Sequence, residues 1–366
     1  MRRRDLLIAA GRCALAASAV PVLARAQPRA VSAEWTGLLA ELEKQTLALM
    51  AANAMPGVSI ALVKDGQLFW RRGWGVKNSK TREPVTDTTV FEAQSMSKPV
   101  FAYAVMKLVD KGVLDLDTPL TKYTSERFLE GDPRLDLITA RHVLSHTTGF
   151  QNWRSDSEPL AIQFTPGTKF QYSGEGYSYL LSVIARLTGQ PIEDYMREHV
   201  FAPFGMTSSG YLWRDLYERE AASPHDEAGE PLPKGKPDEA SVARYASAGA
   251  LHTTPTDYAK FLIEVVDPKP ADEFRLSGGA LAEMVRPQVD MHDQFGRWWA
   301  LGWTIVRRGD RGDLISHGGD IRGFHSYCVA STDHKAAWVA MTNGDNAQPV
   351  LLPLLRSEIL GRLLDE

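Results

Sequence analysis

The chain has 366 residues, 44% hydrophobic and 23% charged, with a formal charge of −4 at pH 7. That balance is ordinary for a globular protein, and the length allows a large core and more than one packing unit. An excess of acid over base argues against nucleic acid and anionic membrane surfaces as partners.

The first 26 residues read as an address rather than as fold. "MRRRDLLIAAGRCALAASAVPVLARAQ" has a basic start, an apolar middle and Ala24-Arg25-Ala26 before Gln27, the layout of a secretory signal with an A-x-A cleavage site. Arg3-Arg4-Asp5-Leu6-Leu7 gives it a twin-arginine look. The alternative is an uncleaved anchor, but Arg12 interrupts the apolar stretch, which is short for a membrane span. Arg12 before Cys13 also makes a poor lipoprotein box. Removing residues 1–26 takes away five Arg and one Asp and moves the formal charge from −4 to −8. One cysteine, Cys328, then remains, so no internal disulfide can form. The expected location is export, to a bacterial periplasm, with no stable membrane span after signal removal.

Along the chain, Glu34 to Ala52 reads as a helix. "GVSIALVKDGQLFWRRGWG" alternates around Asp65-Gly66 and predicts a β-hairpin. In "VFEAQSMSKPVFAYAVMKLVDKG", Phe101, Ala104, Val105, Leu108 and Val109 share one helical face, Gly112 is a stop, and Pro99 requires a start near Ser95 to Ser97. From Leu116 to about Arg244 helical signals dominate. Thr139 is a candidate N-cap with Gly149 at the end of that helix. Tyr177, Leu180, Leu181 and Ile184 form one face, and Pro191 opens a further helix. Residues 221–240 are polar and rich in Pro and Glu, a surface loop. After Ser247 come a capped helix in "TTPTDYAKFLIEVV", strand-like runs at 300–306, 313–316, 325–330 and 336–341, and a final helix over 349–364. The pattern predicts a mixed α/β domain built from both ends, residues 27–92 and 245–366, with a mainly helical domain inserted over 93–244.

Ser95 and Lys98 stand three residues apart, hence on one helical face. A serine hydroxyl is a weak nucleophile and needs a base. Lysine serves as one when burial or neighbouring cations lower its pKa. A first-turn backbone N–H adds an oxyanion donor. The rival reading is a serine cap with a solvated lysine one turn later. Ser97 competes with Ser95, but its own three-residue partner is Val100, which is no base. No HExxH or CxxC occurs and the nine His are scattered, so no metal spacing is present.

Two more motifs carry a family resemblance. Tyr172-Ser173-Gly174 precedes a helix, and His317-Gly318-Gly319 ends a strand. With Ser95-x-x-Lys98 they resemble, in order and approximate separation, the three motifs of the serine β-lactamase and penicillin-binding-protein superfamily. "LSHTTGF" at 144–150, Pro166-Gly167 and "YASAGALHTTPTDYAKF" at 245–261 extend the likeness to roughly 35–364. It is closest to the class C β-lactamase-like branch, with its D-alanyl-D-alanine carboxypeptidases, D-aminopeptidases and esterases.

The resemblance implies a β-lactamase/transpeptidase-like fold, an antiparallel sheet flanked by helices. It implies a catalytic set in which Ser95 is acylated, Lys98 helps take its proton, and Tyr172, as phenol or phenolate, passes a proton to the leaving group. The backbone N–H groups of Ser95 and Asp320 would hold the oxyanion. His317, Gly318 and Gly319 would line the pocket, with His317 binding a substrate carboxylate or assisting proton transfer. No metal or organic cofactor is implied, and the partner is a small-molecule or short-peptide substrate.

The chain departs from the family at Gly174, where an asparagine is usual, and at His317, where a lysine is usual. Both favour a hydrolase of small esters, amides or D-amino-acid peptides over an antibiotic-resistance enzyme. An acyltransferase on the same scaffold and a non-catalytic sensor or binding protein are the alternatives. His146 is read as a structural brace, and Trp298-Trp299 as core or pocket wall. The loops at 123–134, 151–164 and 221–240 are read as shaping the pocket.

Overall fold

The computed structural model describes residues 32–365. The expected export signal lies outside them. α1 (Ala33–Ala52) leads into β1 (Gly57–Lys64) and β2 (Gln67–Gly75). Their turn has Asp65 and Gly66 both at positive φ, 53° and 68°, the backbone that suits a two-residue hairpin. β3 (Phe91–Glu92) follows, and then the helical stretch: α2 (Ser97–Asp110), α3 (Ala140–Leu144), α4 (Gly174–Thr188), α5 (Ile192–Met196), α6 (Asp215–Glu220) and α7 (Glu239–Tyr245). β4 (His252–Thr253), α8 (Pro255–Val266) and α9 (Gly278–Val285) return the chain to the sheet. β5 (Val289–Asp290), β6 (Trp298–Trp299), β7 (Thr304–Val306), β8 (Leu314–Ile321), β9 (Phe324–Ser331) and β10 (Ala336–Thr342) complete it. α10 (Gln348–Leu354) and α11 (Glu358–Asp365) close the described chain.

Eight strands run in the order β2-β1-β10-β9-β8-β7-β6-β5, and every neighbouring pair is antiparallel. Alternate residues of the central strands face opposite layers, as the two-residue period demands. Ile60, Leu62, Trp338 and Ala340 join Leu42, Met50, Val350, Leu354 and Leu363, so α1, α10 and α11 cover one face. Ala61, Val63, Val339 and Met341 join α2, α4 and α8 on the other. β1 is buried along nearly its whole length, so its half-polar alternation is weaker than a one-sided strand would show.

Several local expectations need correction. The helix after Thr139 ends at Leu144, not at Gly149, because His146 already adopts positive φ (55°). Thr139 does cap it, in a capping box with His142. Pro191 is the N-cap of α5 rather than its first residue. The run at 300–306 is a strand only over Thr304–Val306, after a turn in which Gly302 has φ 89°. The run at 313–316 continues as β8 to Ile321. The single final helix is two: α10 runs through Pro353 to Leu354, the Arg356 and Ser357 N–H groups then bond three residues back, to Pro353 and Leu354, and α11 starts at Glu358. The 221–240 segment is loop until α7 begins at Glu239.

Candidate active site

Ser95 lies in a short 3-10 turn, Gln94–Met96, immediately before α2. The turn begins with Gln94 at φ 48°, a conformation that costs energy in any residue but glycine and is held only by its surroundings. Those surroundings are visible. The Ser97 hydroxyl donates to the Gln94 carbonyl at 2.6 Å and accepts from the Leu251 N–H at 3.0 Å. Ser97, the rival nucleophile of the sequence, is therefore a buried pin for the turn that carries Ser95.

Lys98 sits one turn on, 1% exposed. Its Nζ donates to Ser95 Oγ at 3.2 Å and to the Ala248 carbonyl at 2.7 Å. The aromatic faces of Tyr172 and Tyr177 lie 4.7 Å and 5.4 Å from it. Burial penalises the ammonium form and lowers the pKa from 10.5 to about 7. A large fraction of the amine is thus neutral at neutral pH, with a lone pair beside a hydroxyl that needs a base.

Tyr172 lies close enough to Ser95 for that contact to favour ionisation of its hydroxyl. Burial is the main cause that pushes its pKa up, and the Asp320 charge adds to it, so this side chain is a phenol rather than a phenolate. Its segment is braced by His146. The Ser173 N–H donates to His146 Nδ1 at 3.0 Å, and the imidazole lies 4.2 Å from the tyrosine ring, centroid to centroid. Trp299 meets the same ring edge-on at 5.7 Å and donates from its indole N–H to the Leu144 carbonyl. Ser173 caps α4 by accepting from the Gly176 N–H at 3.0 Å, which fixes where the helix starts and hence where Tyr172 points.

The opposite wall is β8. β7 pairs with it only from Leu314 to Ser316, so from His317 to Ile321 one edge of the strand is left to face the nucleophile turn. Gly319 explains how closely it can approach: a Cβ there would stand 2.1 Å from the Ala93 carbonyl oxygen, so only glycine fits. The Ser326 hydroxyl donates to the same carbonyl at 3.0 Å.

His317 is buried, with Nδ1 2.6 Å from the Gly318 carbonyl. A carbonyl can only accept, so Nδ1 carries the proton and Nε2 presents a lone pair, with no hydrogen-bond partner. Burial first, and then the Lys98 charge, push its pKa down to about 3, so the ring is neutral. The Asp320 carboxylate is bonded to His325 Nδ1 at 2.7 Å, which raises the pKa of that histidine.

A cavity of ≈ 290 Å³ joins these parts, with Ser95, Tyr172, Trp299, His317, Gly318 and Asp320 on its wall. Lys98 lies beneath Ser95, and Gly319 forms the seam between β8 and the turn. Ser95, Lys98, Tyr172 and the 317–320 segment, far apart in the chain, thus meet at one place. Sequence reasoning missed three contributors: the Ala248 carbonyl, the Tyr177 face under Lys98, and Trp153, whose indole fills the space beside Gly174. A tryptophan within a loop already read as shaping the pocket was the one available signal. Among the described residues no group of three or more His, Cys, Asp or Glu could hold a metal ion, and no helix is long and apolar enough to cross a membrane.

The family model named Beta-lactamase matches residues 42–357. Esterase EstB of Burkholderia gladioli is 29% identical over 238 residues, covering 56% of this chain and 59% of the esterase, so the match spans less than two thirds of that relative. Penicillin-binding protein 4 of Amycolatopsis lactamdurans is 28% identical over 340 residues, 86% of this chain and 88% of its own. In fold, the chain is similar to a beta-lactamase/D-alanine carboxypeptidase from Pseudomonas syringae, with a TM-score of 0.76 at 18% identity over 88% of this chain and 99% of that one. With the sheet, the two flanking layers and the Ser95–Lys98–Tyr172 cluster already in view, these matches place the chain in the Beta-lactamase family, within the serine β-lactamase and penicillin-binding-protein superfamily, as a serine hydrolase.

Proposed function

We propose that the protein hydrolyses a small ester, amide or D-amino-acid peptide through an acyl-enzyme formed on Ser95. Neutral Lys98 takes the Ser95 proton as Oγ bonds to the substrate carbonyl carbon. The backbone N–H groups of Ser95 and Asp320 stabilise the oxyanion on the two sides of the cleft. As the carbonyl re-forms, the bond to the leaving group breaks and Tyr172 delivers a proton to it, replenished from Lys98. Water then attacks the ester, the acid leaves, and Ser95 regains its proton. Gly318 and Gly319 let the β8 backbone come close enough to act.

The observation that carries this reading is Lys98: a fully enclosed amine, 3.2 Å from Ser95 Oγ, with its pKa lowered to about 7 by burial alone. A solvated lysine on a capped helix would have neither property. Neutral His317 offers no cation to a substrate carboxylate, and Arg297 on the same wall is engaged by Asp293 at 2.5 Å. Both favour esters and neutral amides. We place the reaction outside the cytoplasm, in a periplasm, on the sequence of residues 1–26. Hydrolysis of p-nitrophenyl butyrate by the mature protein tests the reading. Turnover should disappear in Ser95→Ala, and turnover that persists in that variant would overturn it.

A further inference from the structure

β8, the strand proposed above to supply the second oxyanion donor from the Asp320 N–H, ends in a hairpin. The turn is Arg322-Gly323, with Ile321 opposite Phe324 and Asp320 opposite His325. A β-turn bonds its first residue to its last, so alternation along the ladder leaves Asp320 and His325 a non-hydrogen-bonded pair. The Asp320 N–H therefore points away from β9, to the edge that β7 leaves open beyond Ser316. In such a pair the side chains stand closest, and His325 Nδ1 donates to the Asp320 carboxylate at 2.7 Å.

His325 is the anchored member of that pair. Its side chain is 19% exposed, against 74% for Asp320. Its carbonyl accepts from the Thr342 hydroxyl of β10 at 3.0 Å. Its Nε2 has no hydrogen-bond partner but faces Asp345 Oδ1 at 3.7 Å. With a carboxylate before each ring nitrogen, the imidazole is held in one orientation.

Asp345 fastens the rest of the hairpin. Its carboxylate accepts from the Gly323 N–H, and the exposed Arg322 lies 3.9 Å from its other oxygen. Its own N–H donates to the His225 carbonyl at 3.1 Å. Gly323 packs so closely on Pro224 that a Cβ there would overlap it. The turn is thus secured by the loop after β10 and by the 221–240 segment. The Asp320 end of β8, with no strand paired on its outer edge, has its side-chain anchor in His325.

We propose that His325 is a positioning residue: by holding the Asp320 side chain against β9, with Asp345 behind it, it keeps the Asp320 N–H aimed at the oxyanion. It does not line the ≈ 290 Å³ cavity that holds Ser95, so it acts through Asp320 and not on substrate. The role rests on the acyl-enzyme reaction proposed above, in which that N–H is the second donor. Acylation and deacylation both pass through an oxyanion, so a donor out of place slows both steps. That lowers kcat and leaves KM nearly where it was.

The test compares His325→Ala with His325→Asn, whose side-chain amide stands near the place of Nδ1 and still donates to Asp320. The readouts are kcat and KM for p-nitrophenyl butyrate and the inhibition constant of butaneboronic acid. Its tetrahedral adduct with Ser95 presents an oxygen to the oxyanion donors, as the transition state does and the ground state does not. His325→Ala should lower kcat about ten- to hundredfold with KM within about twofold, the scale on which small misplacements act. It should weaken the boronate by a similar factor, and His325→Asn should recover most of both. Asp320→Ala cuts the same bond at an exposed side chain, and its loss should not add to that of His325→Ala. It applies the same test if His325→Ala does not fold. An unchanged kcat, a loss carried by KM, a boronate affinity that does not follow kcat, or equal losses in the alanine and asparagine variants would overturn the proposal. Ser95→Ala separates the two readings. Retained turnover there removes the acyl-enzyme and the positioning role with it. An inactive Ser95→Ala beside an unchanged His325→Ala removes the positioning role alone.

Discussion

Lys98→Met isolates what it costs the protein to hold a lysine at its centre. The ammonium is 1% exposed and its pKa falls from 10.5 to about 7. At ~1.36 kcal/mol per pH unit, that difference corresponds to about 5 kcal/mol of destabilisation at pH 6. The sign follows from proton counting. Between about 7 and 10.5 the unfolded chain binds the proton that the folded chain has released, so wild-type stability rises with pH across that window. Methionine has nearly the same volume and no charge, but it leaves the Ala248 carbonyl, now bonded at 2.7 Å, without its donor, at about 1–3 kcal/mol. The variant should therefore be inactive yet more stable at pH 6, by about 2–4 kcal/mol. At pH 10 the remaining charging cost is below ~1 kcal/mol and the advantage should vanish or reverse. Thermal and denaturant unfolding of both proteins at the two pH values measures this, and the difference between them cancels other titrating groups. An advantage independent of pH, or a variant less stable at pH 6, would refute the placement of a neutral-prone amine at this position.

The rate should show the same group. kcat/KM for p-nitrophenyl butyrate should climb as pH rises through about 7 as Lys98 loses its proton. Because burial holds His317 at about 3, His317→Gln should keep that inflection near neutrality even where it lowers the rate. Tyr172→Phe removes the donor to the leaving group and should lower kcat by about 10²–10⁴-fold, with a smaller loss for a p-nitrophenol leaving group than for an amide. Gly319→Ala would drive a methyl group to 2.1 Å from the Ala93 carbonyl. Strand and turn must then part, so kcat should fall sharply and the unfolding midpoint should drop by the equivalent of about 1–3 kcal/mol.

What the sequence disclosed and what it hid divide along physical lines. Three-residue spacing brings Ser95 and Lys98 together because one helical turn does so, and this is legible without any structure. Tyr172 and His317 are distant in sequence, and no periodicity brings them to Ser95. Their motifs, through resemblance, suggested the grouping that the fold then displays. The Ala248 carbonyl was invisible because a backbone acceptor has no sequence signature. The 3-10 turn at Ser95 was hidden because glutamine does not announce a positive φ, and tertiary bonds from Ser97 and Leu251 impose it. Trp153 sat in a flagged loop, but only the contact with Gly174 shows why a glycine replaces the family's asparagine there. The expected unbroken final helix is interrupted at 355–357, where Arg356 and Ser357 turn back in three-residue bonds that the apolar periodicity does not disclose.

The most direct test of the central claim is covalent. Wild-type protein mixed with p-nitrophenyl butyrate, quenched in acid within the first turnovers and digested, should yield a butyrylated peptide whose modified residue is Ser95, and none from Ser95→Ala. Full turnover with no acylated peptide, or butyryl on a residue other than Ser95, would contradict the account.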